Sequence, residues 1–193
     1  MSNDRKVQEL MGAPGSPYTR KMLAYMRYRR IPYQFEIQTR IGVAEKRIHT
    51  KQRVQPKVSL LPTFFFKDES GNEEAVTDST PLIRRFEDEY AGREAIPADP
   101  ALAFVNMLLE DYGDEWLTKA MFHYRWHYAA DTKKAGDILP RWRGISQPEE
   151  QALKMGEFVR QRQIDRLSYV GSNDVTTPVI EESFKRFIDL LDA

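Results

Sequence analysis

The pattern that most narrows the fold is a strand, a turn, a helix and a second strand at the head of the chain. Val7 to Met11 has strand character and runs into a Gly/Pro turn that ends at Gly15-Ser16-Pro17. A helix is expected from Pro17 to Arg30, with Tyr18, Met22, Tyr25 and Met26 at the spacing of one helical face. Ile31-Pro32 stops it, because the residue before a proline is pushed out of helical geometry. Tyr33-Gln34-Phe35-Glu36-Ile37 then alternates apolar and polar, as a half-buried strand does. The polar stretch from Gly42 to Arg53 reads as a short helix.

The next signals are two strands and a helix. Thr63-Phe64-Phe65-Phe66 has the aromatic run of a buried strand, Asp68 to Asn72 is a turn, and Glu74-Ala75-Val76 returns as the second arm of a hairpin. Ser79 or Thr80 is expected to cap a helix with Pro81 in its first turn and Leu82, Ile83, Phe86 and Tyr90 along one side. A parallel crossover unit followed by a hairpin and a helix predicts a small mixed sheet covered by helices. The fold class is therefore an α/β N-terminal domain, residues 1–90, in the order βαβ-α-ββα.

Ala91 to Pro100, with Gly92, Pro97 and Pro100, reads as a linker. Residues 101–193 change character to an all-α domain. Leu102, Val105, Leu109, Tyr112 and Trp116 recur every three or four residues in a helix expected from Ala101 to about Ala130. Lys133 to Gly144 reads as irregular because it contains Gly136 and Pro140. Ser146-Gln147-Pro148-Glu149 has the form of a capping box before a helix to about Leu167. Gly171 to Thr177 is a loop, and a last helix opens at Pro178 with Ile180, Phe184, Phe187, Ile188 and Leu191 in a stripe. That helix meets no stop signal before Ala193, and its apolar face needs a partner. The helical half is expected to be incomplete, a part of a longer protein.

Composition removes several function classes. Lys+Arg and Asp+Glu stand at 29 each, so the basic excess of a nucleic-acid binder is missing. The basic run Arg27-Tyr28-Arg29-Arg30 falls at a helix C-terminus, where cations suit the helix dipole. The absence of cysteine excludes disulfides, zinc-thiolate sites and thiol redox catalysis. The polar N-terminus has no apolar signal core, and no apolar run has the roughly 20 residues needed to span a bilayer. The expected compartment is the cytoplasm, with no membrane partner.

Ser16 is the first candidate site residue. A hydroxyl at a helix N-terminus can cap the helix or bond an anion placed there, and the two roles can coexist. Asp78, Ser79 and Thr80 before Pro81 form a second cluster of the same kind, readable as a cap alone. Leu61-Pro62 before the Phe strand reads, on base rates alone, as a trans turn entering that strand. His123 and His127 share a helix face, but they lack the third ligand and the glutamate that a metalloprotease site needs, so no metal is expected.

Taken in order, Ser16-Pro17-Tyr18-Thr19-Arg20-Lys21, Leu61-Pro62 and Asp78-Ser79 resemble the motifs of the glutathione transferases, in their bacterial serine-type branch. The resemblance covers most of Val7 to Tyr90, and Leu108 to Trp116 looks like the first long helix of bacterial members. It implies a thioredoxin-like N-terminal domain and glutathione as co-substrate, with a small electrophile as the second substrate. By that resemblance Ser16 donates its hydroxyl to the glutathione sulfur and stabilises the thiolate. Leu61, held by a cis Pro62, pairs with the peptide part, Asp78 accepts from the ammonium, and Ser79 donates to the carboxylate. Arg20 adds positive potential. Tyr112, Trp116 and His123 are candidates for the wall facing the electrophile. Tyr18 is an alternative hydroxyl donor, although its place in the apolar stripe favours a core role.

Two departures bear on this reading. Serine in place of cysteine at position 16 removes mixed-disulfide chemistry. The buried Ser/Thr-x-x-Asp cap of a later transferase helix has no equivalent after Leu167. The implied function is conjugation in detoxification by a homodimeric glutathione transferase or a close lyase or peroxidase relative. The alternative is a non-catalytic member used as an interaction module.

Overall fold

The computed structural model describes residues 6–38, 53–144 and 147–192. Most of the helix expected from Gly42 to Arg53 lies outside the described residues, as do Ser146 and Ala193. The chain divides into two compact units, Met1–Asp99 and Pro100–Ala193. The first is a thioredoxin-like βαβ-ββα domain around a mixed four-stranded sheet, and the second is all helical.

In the first unit β1 (Gln8–Gly12) leads through the turn at residues 13–16 into α1 (Pro17–Arg29) and on to β2 (Tyr33–Ile37). The hairpin β3 (Thr63–Lys67) and β4 (Glu73–Val76) is followed by α2 (Ser79–Glu89). The strand order is β2-β1-β3-β4. β1 runs parallel to β2, with Leu10 opposite Phe35, and antiparallel to β3, with Leu10 opposite Phe64. Alternation along these strands therefore sends Leu10, Phe35, Phe64 and Phe66 to one face. There they pack with Met22, Leu23 and Met26 of α1 and Leu82, Ile83 and Phe86 of α2. Phe86 lies at the centre, its ring 5.4 Å from Phe64 and 6.1 Å from Phe66.

The far ends of α1 and α2 are joined by a buried polar network. Arg29, fully buried, pairs with Glu87 and donates to the Tyr25 hydroxyl and the Tyr90 carbonyl. Glu87 also accepts from the Tyr25 hydroxyl at 2.7 Å and from the amides of Ala95 and Ile96 at 3.1 and 3.2 Å. The segment after α2, read from sequence as a linker, is thus tied to this unit by its own backbone. On the opposite sheet face Arg53 lies over the Phe65 ring and pairs with Glu9, Glu36 and Glu73.

The helical unit comprises α3 (Pro100–Asp111), a π-helical turn at Tyr112–Trp116, α4 (Leu117–Trp126), α5 (Ala129–Arg143), α6 (Glu149–Ile164) and α7 (Thr177–Asp192). Two sequence readings are corrected here. Lys133 to Gly144 is helical, not irregular, with Pro140 inside α5. It holds because α5 crosses α6 where Gly136 meets Gly156, and Gln147 caps the Pro140 carbonyl from outside at 3.0 Å. The N-cap of α6 is Pro148, so the helix opens at Glu149 rather than directly after Ser146. No helix among the described residues is long and apolar enough to cross a membrane.

Candidate functional site

The strand registers bring the three sequence motifs of the first unit to one end of the sheet. Met11 near the end of β1 pairs with Thr63 at the start of β3, and Phe64 pairs with Val76 at the end of β4. The turn carrying Ser16, the Leu61-Pro62 pair and Asp78-Ser79 all lie just beyond those residues. Both α1 and α2 begin there, so two helix N-termini, each with partial positive charge and orphan N–H groups, face the same end.

Ser16 is the N-cap of α1, and its Oγ accepts from the Thr19 amide at 3.3 Å. Ser16 is half-buried. A serine hydroxyl has two lone pairs and one proton, so the capping bond leaves the O–H available as a donor. The Ser16 amide is itself bonded to the Ala13 carbonyl at 2.9 Å, which closes the turn. Arg20 folds back, its Nε donating to the Pro14 carbonyl at 2.8 Å. Its guanidinium therefore sits against the same turn.

The Leu61–Pro62 peptide is cis. Pro62 is buried and Leu61 half-buried. Thr63 beside them ties back through its Oγ1 to the Leu60 carbonyl at 3.1 Å.

Asp78, not Ser79 or Thr80, is the N-cap of α2, its carboxylate accepting from the Thr80 amide at 3.3 Å. Its backbone is at φ 83, ψ 119, a region that side-chain-bearing residues seldom occupy. Ser79, the first helical residue, is buried, while Asp78 is exposed. An exposed carboxylate beside a helix N-terminus is a pair whose charges complement those of a zwitterionic amino-acid group.

The residues read as an electrophile wall belong to the helical unit. Tyr112 opens the π-helical turn and sets its ring 5.4 Å from Phe187 of α7. Trp116 is largely exposed, with the Lys119 ammonium over its ring at 4.3 Å. His123 is fully buried. Its Nδ1 meets Ser172 Oγ at 2.8 Å and its Nε2 meets Glu181 Oε1 at 3.2 Å, while Tyr128 also donates to Glu181. Those two bonds hold the Glu181 carboxyl below its usual range, the Tyr128 bond contributing most. His123 therefore fastens α4 to α7 and to the loop before it. His127 stacks on it at 4.6 Å but is exposed. No group of three or more His, Cys, Asp or Glu among the described residues is placed to hold a metal ion.

Thr19 and Gly12 were missed as parts of this site. Thr19 is fully buried under the turn, and a Cβ on Gly12 would stand 2.6 Å from its Oγ1. The signal was present in the motif, since Thr19 is the third residue after the cap, where the bonded amide of a capped helix lies.

Residues 10–94 match the family model described as glutathione S-transferase, N-terminal domain. No curated protein matches the chain. A distant likeness exists to a solved glutathione transferase family member from Pseudomonas fluorescens Pf-5 with bound S-(propanoic acid)-glutathione. It is 18% identical, covers 83% of this chain and 68% of that one, and has a TM-score of 0.32. The N-terminal unit is thus a thioredoxin-like domain that matches the glutathione S-transferase N-terminal domain family across residues 10–94.

Proposed function

We propose that the sheet end bearing Ser16, Leu61-Pro62 and Asp78-Ser79 binds glutathione and activates its thiol for attack on a small electrophile. The observation that carries this reading is the convergence of two capped helix N-termini and an exposed carboxylate at one end of a sheet whose sequence matches the transferase N-terminal domain. Asp78 takes the γ-glutamyl ammonium, the Ser79 amide and hydroxyl take the neighbouring carboxylate, and the backbone of Leu61 pairs with the cysteinyl part. Ser16 keeps its cap bond and donates its O–H to the sulfur. A hydrogen bond to the charged form lowers the thiol pKa, and the α1 N-terminus and Arg20 act in the same direction. The thiol proton passes to solvent, and the thiolate lone pair forms the new C–S bond. The electrons of the breaking bond depart with the leaving group or, in an addition, move through the π system to a carbon or oxygen that takes a proton from water. No atom of the protein becomes covalently attached. A homodimer is part of the proposal.

Calorimetric titration with glutathione, followed by turnover assays over a panel of electrophiles, tests it. Wild type is expected to bind. Ser16→Ala is expected to bind within about threefold of wild type but to lose about tenfold or more in kcat/KM, the cost of one donor to a developing anion. Normal turnover in Ser16→Ala sinks the role of that hydroxyl. Glutathione binding without turnover by wild type identifies a non-catalytic member of the fold, and no binding removes glutathione altogether.

A further inference from the structure

We propose that Thr19 is the positioning residue for the Ser16 hydroxyl, through one bond to Ser16 Oγ, one to Ala13 of the same turn, and close contact with Gly12. The proposal rests on the assignment of Ser16 to the glutathione sulfur. The Thr19 amide donates to Ser16 Oγ and so occupies one of its lone pairs. The Thr19 side chain reaches the other way, its Oγ1 accepting from the Ala13 amide at 3.3 Å. Ala13 in turn accepts from the Ser16 amide, so Ala13, Ser16 and Thr19 form a closed ring of hydrogen bonds around the turn.

The ring is braced from β1. Thr19 Oγ1 and Cγ2 lie 2.6 and 2.7 Å from where a Cβ on Gly12 would stand, so the end of the strand and the first turn of the helix meet only because Gly12 has no side chain. Thr19 is fully buried and β-branched, with few rotamers open to it. Its own placement is therefore narrow, and it passes that precision to Ser16.

The consequence is a division of labour. Ser16 donates to the thiolate, while Thr19 decides where the donor sits and which way its proton points. A donor displaced by about 1 Å loses much of its effect on a charge that it must meet in line. Glutathione binding, which the helix α2 terminus and Asp78 supply, does not depend on that placement.

The test is a pH titration of bound glutathione followed by ultraviolet thiolate absorbance, on wild type, Ser16→Ala, Thr19→Val, Thr19→Ser and Gly12→Ala. Thr19→Val keeps the branched shape and the amide bond to Ser16 but cannot accept from Ala13. It is expected to raise the thiol pKa by about one unit toward that of free glutathione, with the glutathione dissociation constant changed less than about twofold. Thr19→Ser retains the acceptor and is expected to restore most of the shift. Gly12→Ala displaces the Thr19 side chain while sparing its hydroxyl, and it is expected to act like Thr19→Val through a separate change. Circular dichroism confirms which variants fold, and either Thr19→Val or Gly12→Ala suffices. A wild-type titration in the folded variant, with Ser16→Ala shifted, overturns the positioning role alone. A wild-type titration in Ser16→Ala overturns the assignment of Ser16 and the proposal with it.

Discussion

Asp78 occupies a backbone region that costs on the order of 1–3 kcal/mol for a residue with a side chain, yet it sits exposed at a helix cap that glycine serves nearly as well. Stability alone would favour glycine at this position. Asp78→Gly separates the two roles of the residue. Its loss of the cap bond costs only a few tenths of a kcal/mol, and the relief of φ 83 offsets that loss. The thermal midpoint is expected at or above that of wild type. Glutathione affinity is expected to fall about tenfold or more, since a charge-assisted hydrogen bond to the ammonium is worth about 1.5–3 kcal/mol. Differential scanning calorimetry and a binding titration on one sample check both halves. Unchanged affinity removes Asp78 from the site. The same residue shows what was legible at this scale. The polar cluster Asp78-Ser79-Thr80 was visible as a cap, but which member caps depends on a positive φ that composition does not encode. Thr19 was hidden for a related reason: its partner Gly12 is close in space only because the turn doubles back.

Elements with clean periodicity were readable, and the exceptions fall where tertiary contacts override local preference. β2 and the core stripe of α2 follow directly from apolar spacing. α5 does not, because Gly136 and Pro140 disfavour a helix locally, and the reason it persists is its crossing with α6. A Cβ on Gly156 would stand 2.6 Å from the Gly136 carbonyl oxygen, a backbone atom that cannot rotate away. Gly156→Ala therefore sets a gain of about 1 kcal/mol in helix propensity against an overpacking cost of about 1–3 kcal/mol. Net destabilisation is expected in chemical denaturation, and a stabilised variant would mean that the two helices do not cross here. The pairing of α1 with α2 makes a prediction in pH. Burial pushes the Tyr25 hydroxyl up to about 12, against the opposing pull of Arg29. Because the folded pKa is raised, the neutral phenol stabilises the fold fully below the unfolded value of about 10, and that contribution is lost as pH climbs from there through about 12. Tyr25→Phe removes this group's titration. Wild-type and variant stabilities are expected to converge over that alkaline window, and a constant difference would refute the assignment.

At the scale of the whole molecule, the division into a mixed sheet domain and a helical unit was legible from the change of pattern near residue 100. The helical surface was not. The periodic residues of α3 suggest an inward stripe, yet Leu102, Phe104, Val105, Met107, Leu108 and Leu109 are all exposed and α3 contributes no buried residue. A helix apolar on nearly all sides loses solvation free energy unless something covers it. The proposed homodimer supplies a cover, and its physical character can be stated in advance. With Lys+Arg and Asp+Glu equal at 29, two copies meet without net electrostatic repulsion, and an interface built on α3 is apolar. Its association is therefore expected to persist or strengthen as salt rises from about 0.1 M to about 1 M, over which the Debye length shrinks from ~10 Å to ~3 Å. An interface held by surface ion pairs would weaken over the same range. Sedimentation equilibrium is expected to give twice the 22.6 kDa chain mass at micromolar concentration. Leu102→Glu combined with Leu109→Glu places two charges on one stripe of α3 without touching a buried residue, so the fold is expected to survive while the dimer separates. A wild-type monomer at every concentration would end the dimer proposal. A dimer that survives both charges would place its interface on another surface.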